Sequence, residues 1–253
     1  MSIAIGAVSL PFIGGSMGVL GWNYPFLFYC LTLPLALVAI IALPETNPEQ
    51  SSSKTRTGFR EILDSLKDFR VSYTIFLSFT IAFLLYSVII YVPFLLEDNF
   101  NFTSQGAGIA LSLRGASVII VASQARRLSE KYPEHIVMAL GFGLLSLSIA
   151  GFPFVDTVAS TFLLLLLFGA GFGMIQPFLT TLIIQVSPSS IMGGVVSVFN
   201  TMKYIGQTAA PSVLGLILLY SNMQMVFVVS SLFGFIIAVS IYLTKSRFYE
   251  VEM

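Results

Sequence analysis

Eight long apolar runs separated by short polar breaks dominate the chain, at roughly residues 2–20, 24–43, 72–95, 105–124, 136–155, 160–186, 193–219 and 223–244. A helix needs about 20 apolar residues to cross the hydrocarbon core of a bilayer. Each run therefore predicts a membrane-spanning helix, and the fold class is an all-α integral membrane bundle of about eight helices. The one long polar stretch, residues 44–70, separates the second run from the third. It opens PETNPEQSSSKTRT, a flexible linker by composition. It closes GFREILDSLKDF, where Phe59, Ile62, Leu63, Leu66 and Phe69 recur at helical spacing. That spacing predicts a short amphipathic helix, either on the membrane surface or packed on the ends of the bundle. The first run has no charged leader and no clear cleavage site, and it carries Gly14, Gly15, Gly18 and Gly21. It reads as a helix that packs closely on another, not as a signal peptide.

An internal repeat organises the runs. Ile5 to Gly15, IGAVSLPFIGG, returns as Ile205 to Gly215, IGQTAAPSVLG, with Ile, Gly, Pro and the last Gly at matching offsets. The same offset aligns Tyr24–Leu43 with Gln224–Leu243, and the two runs stop before Glu45 and Lys245. The chain thus reads as the end of one unit followed by the whole of a second. Small residues permit close helix approach and proline bends a helix, so Gly6, Pro11, Gly14 and Gly15 with Gly206, Pro211 and Gly215 form a candidate helix-interface motif. The expectation is that the two copies stand opposite one another at a seam between halves; tight packing alone is the competing reading.

Composition agrees with the runs: 56% of residues are hydrophobic and 9% charged, at a formal net charge of zero. Nothing in that balance points to nucleic acid as a partner. The placement of the charges carries more. Lys54, Arg56, Arg60, Lys67 and Arg70 lie in the linker, Arg126, Arg127 and Lys131 in the loop after the fourth run, and Lys245 and Arg247 in the tail. With alternating spans these segments share one side, and the opposite loops hold no Lys or Arg. Cytoplasmic loops are enriched in basic residues, so both termini and the linker are expected in the cytoplasm. One cysteine, Cys30, and one histidine, His135, leave no basis for a disulfide or a metal site, and no cofactor is expected. No catalytic group stands out, because a nucleophile, its base or a metal ligand set would have to lie within the spans.

Several of these segments resemble the major facilitator superfamily, whose members carry two six-helix halves joined by a long cytoplasmic loop. Gly6, Pro11, Gly14 and Gly15, followed by Gly21, Trp22 and YPFLFY, resemble the fifth-helix antiporter motif and the start of the sixth helix of drug/proton antiporters; Leu10 stands where a Gly usually precedes the Pro. ARRLSEKYPEH, Ala125 to His135, resembles the second copy of the family's loop signature, with Arg127, Glu130 and Lys131 at its basic, acidic and basic positions and Arg126 and Pro133 where Gly is usual. That loop is a candidate cytoplasmic gate, or a positive-inside loop with no gating role. LLLLFGAGFGMIQPFLTTLI and VVSVFNTMKYIGQTAAPSVLGL are similar to the tenth and eleventh helices. The resemblance implies helices five to twelve of a facilitator, an N-terminally incomplete form. Residues 1–43 would be the last two helices of the first half, 44–70 the linker, 71–245 a complete C-terminal six-helix bundle and 246–253 the tail.

Polar residues inside spans are the functional candidates, because an ionisable group in a bilayer costs a few kcal/mol at least and faces a cavity or a partner. None of the twelve acids lies well inside a run, so a coupling proton, if used, has no carboxylate carrier there. Arg114 and Lys203 are the two basic residues inside spans. Arg114 is a cavity or substrate candidate, or caps or pairs between helices; Lys203 reaches the cavity or snorkels toward the inner gate. Asn200, Lys203 and Gln207 share one helix face, and Gln176 and Thr180 share another. Tyr86 completes the cavity set, while Tyr91 suits packing or the aromatic belt equally. The expectation is a secondary transporter moving a small organic solute, with drug efflux as its specific form, in contact with membrane lipid. A partner chain supplying further helices and a non-transporting scaffold or sensor are the alternatives.

Overall fold

A computed structural model describes residues 2–42 and 55–245. The linker residues 43–54 and the tail 246–253, with the basic residues Lys54 and Arg247, lie outside the described residues. Helices run in the order α1 (Ser2–Gly18), α2 (Tyr24–Leu27), a 3-10 turn, α3 (Thr32–Ala42), α4 (Thr55–Ser65), α5 (Phe69–Phe100), α6 (Ser104–Ala122), α7 (Ala125–Lys131), α8 (Glu134–Gly151), a second 3-10 turn, α9 (Val158–Val186), α10 (Met192–Tyr220) and α11 (Met223–Leu243). Among the described residues six stretches are long and apolar enough to cross a membrane: Tyr24–Ala42, Phe69–Phe100, Ser104–Ala122, Glu134–Phe154, Val158–Val186 and Met223–Leu243. The first and seventh predicted runs also form helices; α1 is shorter, and α10, continuous over 29 residues, carries Asn200, Lys203 and Gln207 among its apolar residues.

Local chemistry sets the breaks. Asp68 caps α5 by accepting from the Arg70 N–H at 2.8 Å, which ends the amphipathic linker segment before Phe69. The predicted linker helix is therefore α4 alone. At the far end Asn101 takes a left-handed conformation, φ 53°, and its N–H bonds to the Glu97 carbonyl at 2.9 Å, closing α5. Thr157 and Ser160 form a capping box on α9, and Asn222 caps α11. α5 spans 32 residues, about 48 Å of helix, and so extends past a hydrocarbon core of about 30 Å.

The core lies among α5, α8, α9, α10 and α11, where Phe142, Phe152, Phe168 and Phe227 are fully buried. In lipid, helices gain little from burying apolar side chains against each other, so close backbone approach and interhelical hydrogen bonds set the contacts. The seams show both. Between α5 and α10, Ser78 Oγ donates to the Phe199 carbonyl at 2.9 Å, and Gly206 presses against the Phe79 backbone. Between α6 and α9, Ser117 Oγ donates to Leu166 O at 2.7 Å, and a Cβ on Gly173 would stand 2.8 Å from Val118 O. Between α8 and α9, Ser148 Oγ donates to Leu164 O at 2.6 Å, and Gly141 and Gly171 face each other. The Gly234 backbone of α11 rests on Ser146 of α8. α1 lies along α6, with Gly15 against Gly108 and Ala7 against Gly115. α4 packs on α10, where Ile62 fills the space above Gly194, which favours the bundle-end placement of the linker helix. By contrast α3 has no buried residue, and Ile41 is 84% exposed.

Candidate functional site

The repeat motif does not form a single seam. Gly15 meets Gly108 Cα at 3.1 Å and the Ser104 carbonyl at 2.5 Å from an added Cβ, and Ser104 Oγ donates to Gly15 O at 3.2 Å. Pro11 contributes its carbonyl to the same contact, against Gly108. Gly6 has only Leu10 of its own helix within reach, and Gly14 has nothing within 4 Å. Gly206 serves the α5–α10 seam, and Gly215 is 3.7 Å from the Tyr91 hydroxyl by an added Cβ. The expected face-to-face arrangement of the two copies is therefore corrected: the principal partner of α1 is α6, and that of α10 is α5. Both helices offer small residues to a neighbour: α1 closes on the glycines of α6, whereas Gly206 of α10 closes on the backbone of Phe79 in α5. Gly108 and Gly115, seven residues apart on one face of α6, were the unread signal for this seam.

Arg114 is buried on α6, 5% exposed, beside the seam to α9. Its carbonyl abuts Gly169, and its Nε has no hydrogen-bond partner. Gln176, on the same side of α9, buries an Oε1 that is also without a partner, while Thr180 spends its hydroxyl on the Gln176 carbonyl at 2.9 Å. Lys203 and Gln207 are half-buried on α10, flanking the face that packs on α5, and Asn200 is exposed one turn before Lys203. Tyr86 is half-buried on α5. Tyr91, 4% exposed, directs its hydroxyl at Pro211 O over 3.5 Å, a packing position between α5 and α10.

The candidate gate loop folds as α7. Arg127 Nη1 donates to Gln124 Oε1 at 3.1 Å, and Lys131 Nζ stands over the Tyr132 ring, 5.4 Å from its centre. Glu130 and Lys131 line a recess of about 740 Å³ with Arg70, Tyr73, His135 and Gln185. This recess, between the start of α5, the α7–α8 turn and the end of α9, holds none of the intramembrane candidates. Arg70, Tyr73 and Gln185 come together there from three helices, a convergence that no local pattern announces. Among the described residues no three His, Cys, Asp or Glu side chains are grouped to hold a metal, and Cys30 is a free, exposed thiol.

The family model of the Major Facilitator Superfamily matches residues 1–211. The chain belongs to this superfamily. A facilitator relative, the bacillibactin exporter of Bacillus subtilis (strain 168), is 26% identical over 231 residues, covering 89% of this chain and 57% of that protein. Among solved facilitator-like folds, the nucleoside transporter NupG superposes with a TM-score of 0.71 at 15% identity, over 95% of this chain and 65% of that one. A POT family transporter in complex with 5-aminolevulinic acid gives 0.59 at 14% identity, over 88% and 53%. At such identities these two share the fold. The facilitator chain described here thus spans a little over half the length of the exporter it matches.

Proposed function

We propose that this facilitator chain takes part in secondary active, alternating-access transport of a small organic solute out of the cell, with drug-like compounds as the solute class to test first. The supporting observation is the α1–α6 seam. A helix preceding the linker lies on a helix following it, backbone against backbone, through Gly15, Gly108 and Gly115. Alternating access needs such a contact between halves that rock about a central site. Arg114, Lys203 and Gln176 are the proposed solute contacts, and Arg127, Glu130 and Lys131 the proposed inner gate. The clustering of basic residues on one side supports a cytoplasmic linker and cytoplasmic termini, with the cell membrane as the proposed location. No acid lies at mid-span in the described helices, so a coupling proton would be carried by another group or another chain.

A second reading is a scaffold or partial transporter that acts with a partner chain. The uncovered α3, and the open α10 face bearing Thr201, Tyr204, Thr208 and Ser212, favour it. Flux decides between them. The purified chain in sealed liposomes, loaded with a panel of labelled organic solutes, should release at least one faster than empty-vesicle controls. Release at the control rate for every solute would overturn transport by this chain alone.

A further inference from the structure

The interior of the described bundle carries an uneven charge. The acids nearest the spans sit at helix ends: Glu97 and Asp98 in the last turn of α5, Glu134 at the start of α8, and Asp156 between α8 and α9. Two cations lie deep. Arg114 follows Ser104 by about 15 Å of helix, and Lys203 follows Met192 by about 16 Å. Arg114 is the more enclosed, at 5% exposed with Nε unpartnered. Its seam neighbours are neutral: Gly169 offers only backbone, and Ser117 has committed its hydroxyl to Leu166 O at 2.7 Å. Among the described residues no ion pair offsets the desolvation cost of this buried guanidinium. Gln176 adds an acceptor oxygen on the same side of α9, buried and likewise unmatched. The two orphans are of opposite kind, a donor at Arg114 Nε and an acceptor at Gln176 Oε1, so an oxyanion answers Arg114 while Gln176 would take a donor elsewhere on the same solute.

We propose that Arg114 anchors an anionic group of the transported solute, so that the substrate class is organic acids bearing a carboxylate or a comparable oxyanion. This rests on the reading of the chain as part of a transporter. The planar guanidinium can grip two oxygens of such a group at once, and a low-dielectric setting strengthens that grip. Lys203, about as deep on α10, adds positive potential and makes organic cations poor ligands. The competing source of the counter-charge is a carboxylate from another polypeptide segment, which would neutralise Arg114 permanently.

Binding and flux are measured on the full 253-residue chain, for a panel of aromatic and aliphatic carboxylates each matched to its own neutral amide. Binding is read as ligand-dependent thermal stabilisation in detergent, and flux in liposomes. At least one acid should bind more tightly than its amide. Arg114→Gln should abolish that preference with a loss on the order of tenfold in affinity, and Arg114→Lys should keep the charge but lose part of the grip. Without ligand, Arg114→Gln should melt no lower than the parent, because it removes a buried, unpaired charge. Acids bound no better than amides, or a preference that survives Arg114→Gln, would overturn the proposal. A ligand-free Arg114→Gln chain that melts well below the parent would overturn it too, in favour of a permanent ion pair. Flux without charge preference keeps the transporter reading and rejects the anion site, whereas charge-selective binding without flux does the reverse.

Discussion

Gly14 and Gly15 are adjacent residues of one helix in the same apolar run, yet the structure assigns them opposite sensitivities. A Cβ added at Gly15 would stand 2.5 Å from the Ser104 carbonyl oxygen, 3.1 Å from Gly108 Cα and 3.3 Å from Gln105 Cα, all backbone-anchored atoms. One added at Gly14 would meet nothing within 4 Å. Restoring an ordinary carbon–oxygen separation of about 3.4 Å requires α1 to withdraw from α6 by roughly 0.9 Å, since no side-chain rotation can relieve the contact. Overpacking of that kind costs about 1–3 kcal/mol. Replacing glycine by alanine inside a helix returns up to about 1 kcal/mol. Gly14→Ala receives only the return, whereas Gly15→Ala receives both, so the variants should differ by about 1–3 kcal/mol in stability, with Gly15→Ala the weaker. The withdrawal also lengthens the 3.2 Å bond from Ser104 Oγ to the Gly15 carbonyl. Reversible unfolding of the two variants in matched micelles measures the difference. Equal stability, or a Gly14→Ala chain weaker than Gly15→Ala, would refute the α1–α6 seam and the register assigned to it.

Gly206→Ala should likewise weaken the α5–α10 seam, since its Cβ would lie 3.1 Å from the Phe79 carbonyl carbon and 3.2 Å from Phe79 Cα, while Gly193→Ala, with nothing within 4 Å, should lose no stability in the same unfolding assay. Ser117→Ala removes the 2.7 Å bond to Leu166 O and should cost about 0.6 kcal/mol, the average for hydrogen bonds between membrane helices, and no more than about 1.7; a change below detection would show that α6 and α9 rest on their glycines alone. Lys67 is raised above its usual 10.5 by its hydrogen bond to Asp64 and then by that carboxylate's charge. Any stability it lends is fully present below pH 10.5 and is lost as pH rises through the raised value. Both side chains are exposed, so Lys67→Ala should leave unfolding at neutral pH unchanged and remove any Lys67-linked step from the alkaline titration.

The helices were legible because their signals are local. Apolar runs of the right length become spans, and Asp68, Thr157 and Asn222 mark starts by chemistry that acts over three residues. Partner choice was not local, and there the sequence misled. The repeat made Gly206 and Gly6 look like equivalent seam residues, but Gly206 is pressed on Phe79 of α5 while Gly6 touches only Leu10 of its own helix. A glycine permits approach without naming the helix that approaches, so Gly108 and Gly115 were as informative as the motif and went unread. Arg114 could be singled out from position alone, because any cation at mid-span is costly. That it lies 5% exposed, beside Gly169 and without a partner at Nε, needed the packing of α9 onto α6. Amphipathicity describes a face of the linker helix and not what covers it; the structure adds that Ile62 lies against Gly194 of α10.

The seams also differ in how they could respond to motion. α10 is fastened to α5 by Ser78 donating to Phe199 O at 2.9 Å in a fully buried position, with Phe199 itself 3% exposed beside it. Separating those helices would forfeit the interhelical bond, leaving Ser78 Oγ only its 2.7 Å contact with Ile75 O of its own helix, and would open a cavity the size of an aromatic ring, which is costly. Among the described residues α1 is hydrogen-bonded to α6 by the 3.2 Å contact from Ser104, at the exposed end of the interface, and at Gly15, Gly108 and Gly115 the two helices meet backbone against backbone. Such a surface resists approach closer than contact but offers little resistance to tilting or sliding along it. α5, α8, α9, α10 and α11 therefore form a body with a shared core, and α1 is a helix laid against that body through α6. If this chain takes part in a rocking cycle, the physical place for the hinge surface is the bare backbone strip of Gly15, Gly108 and Gly115, and the tightly bolted α5–α10 seam is the part that travels as one.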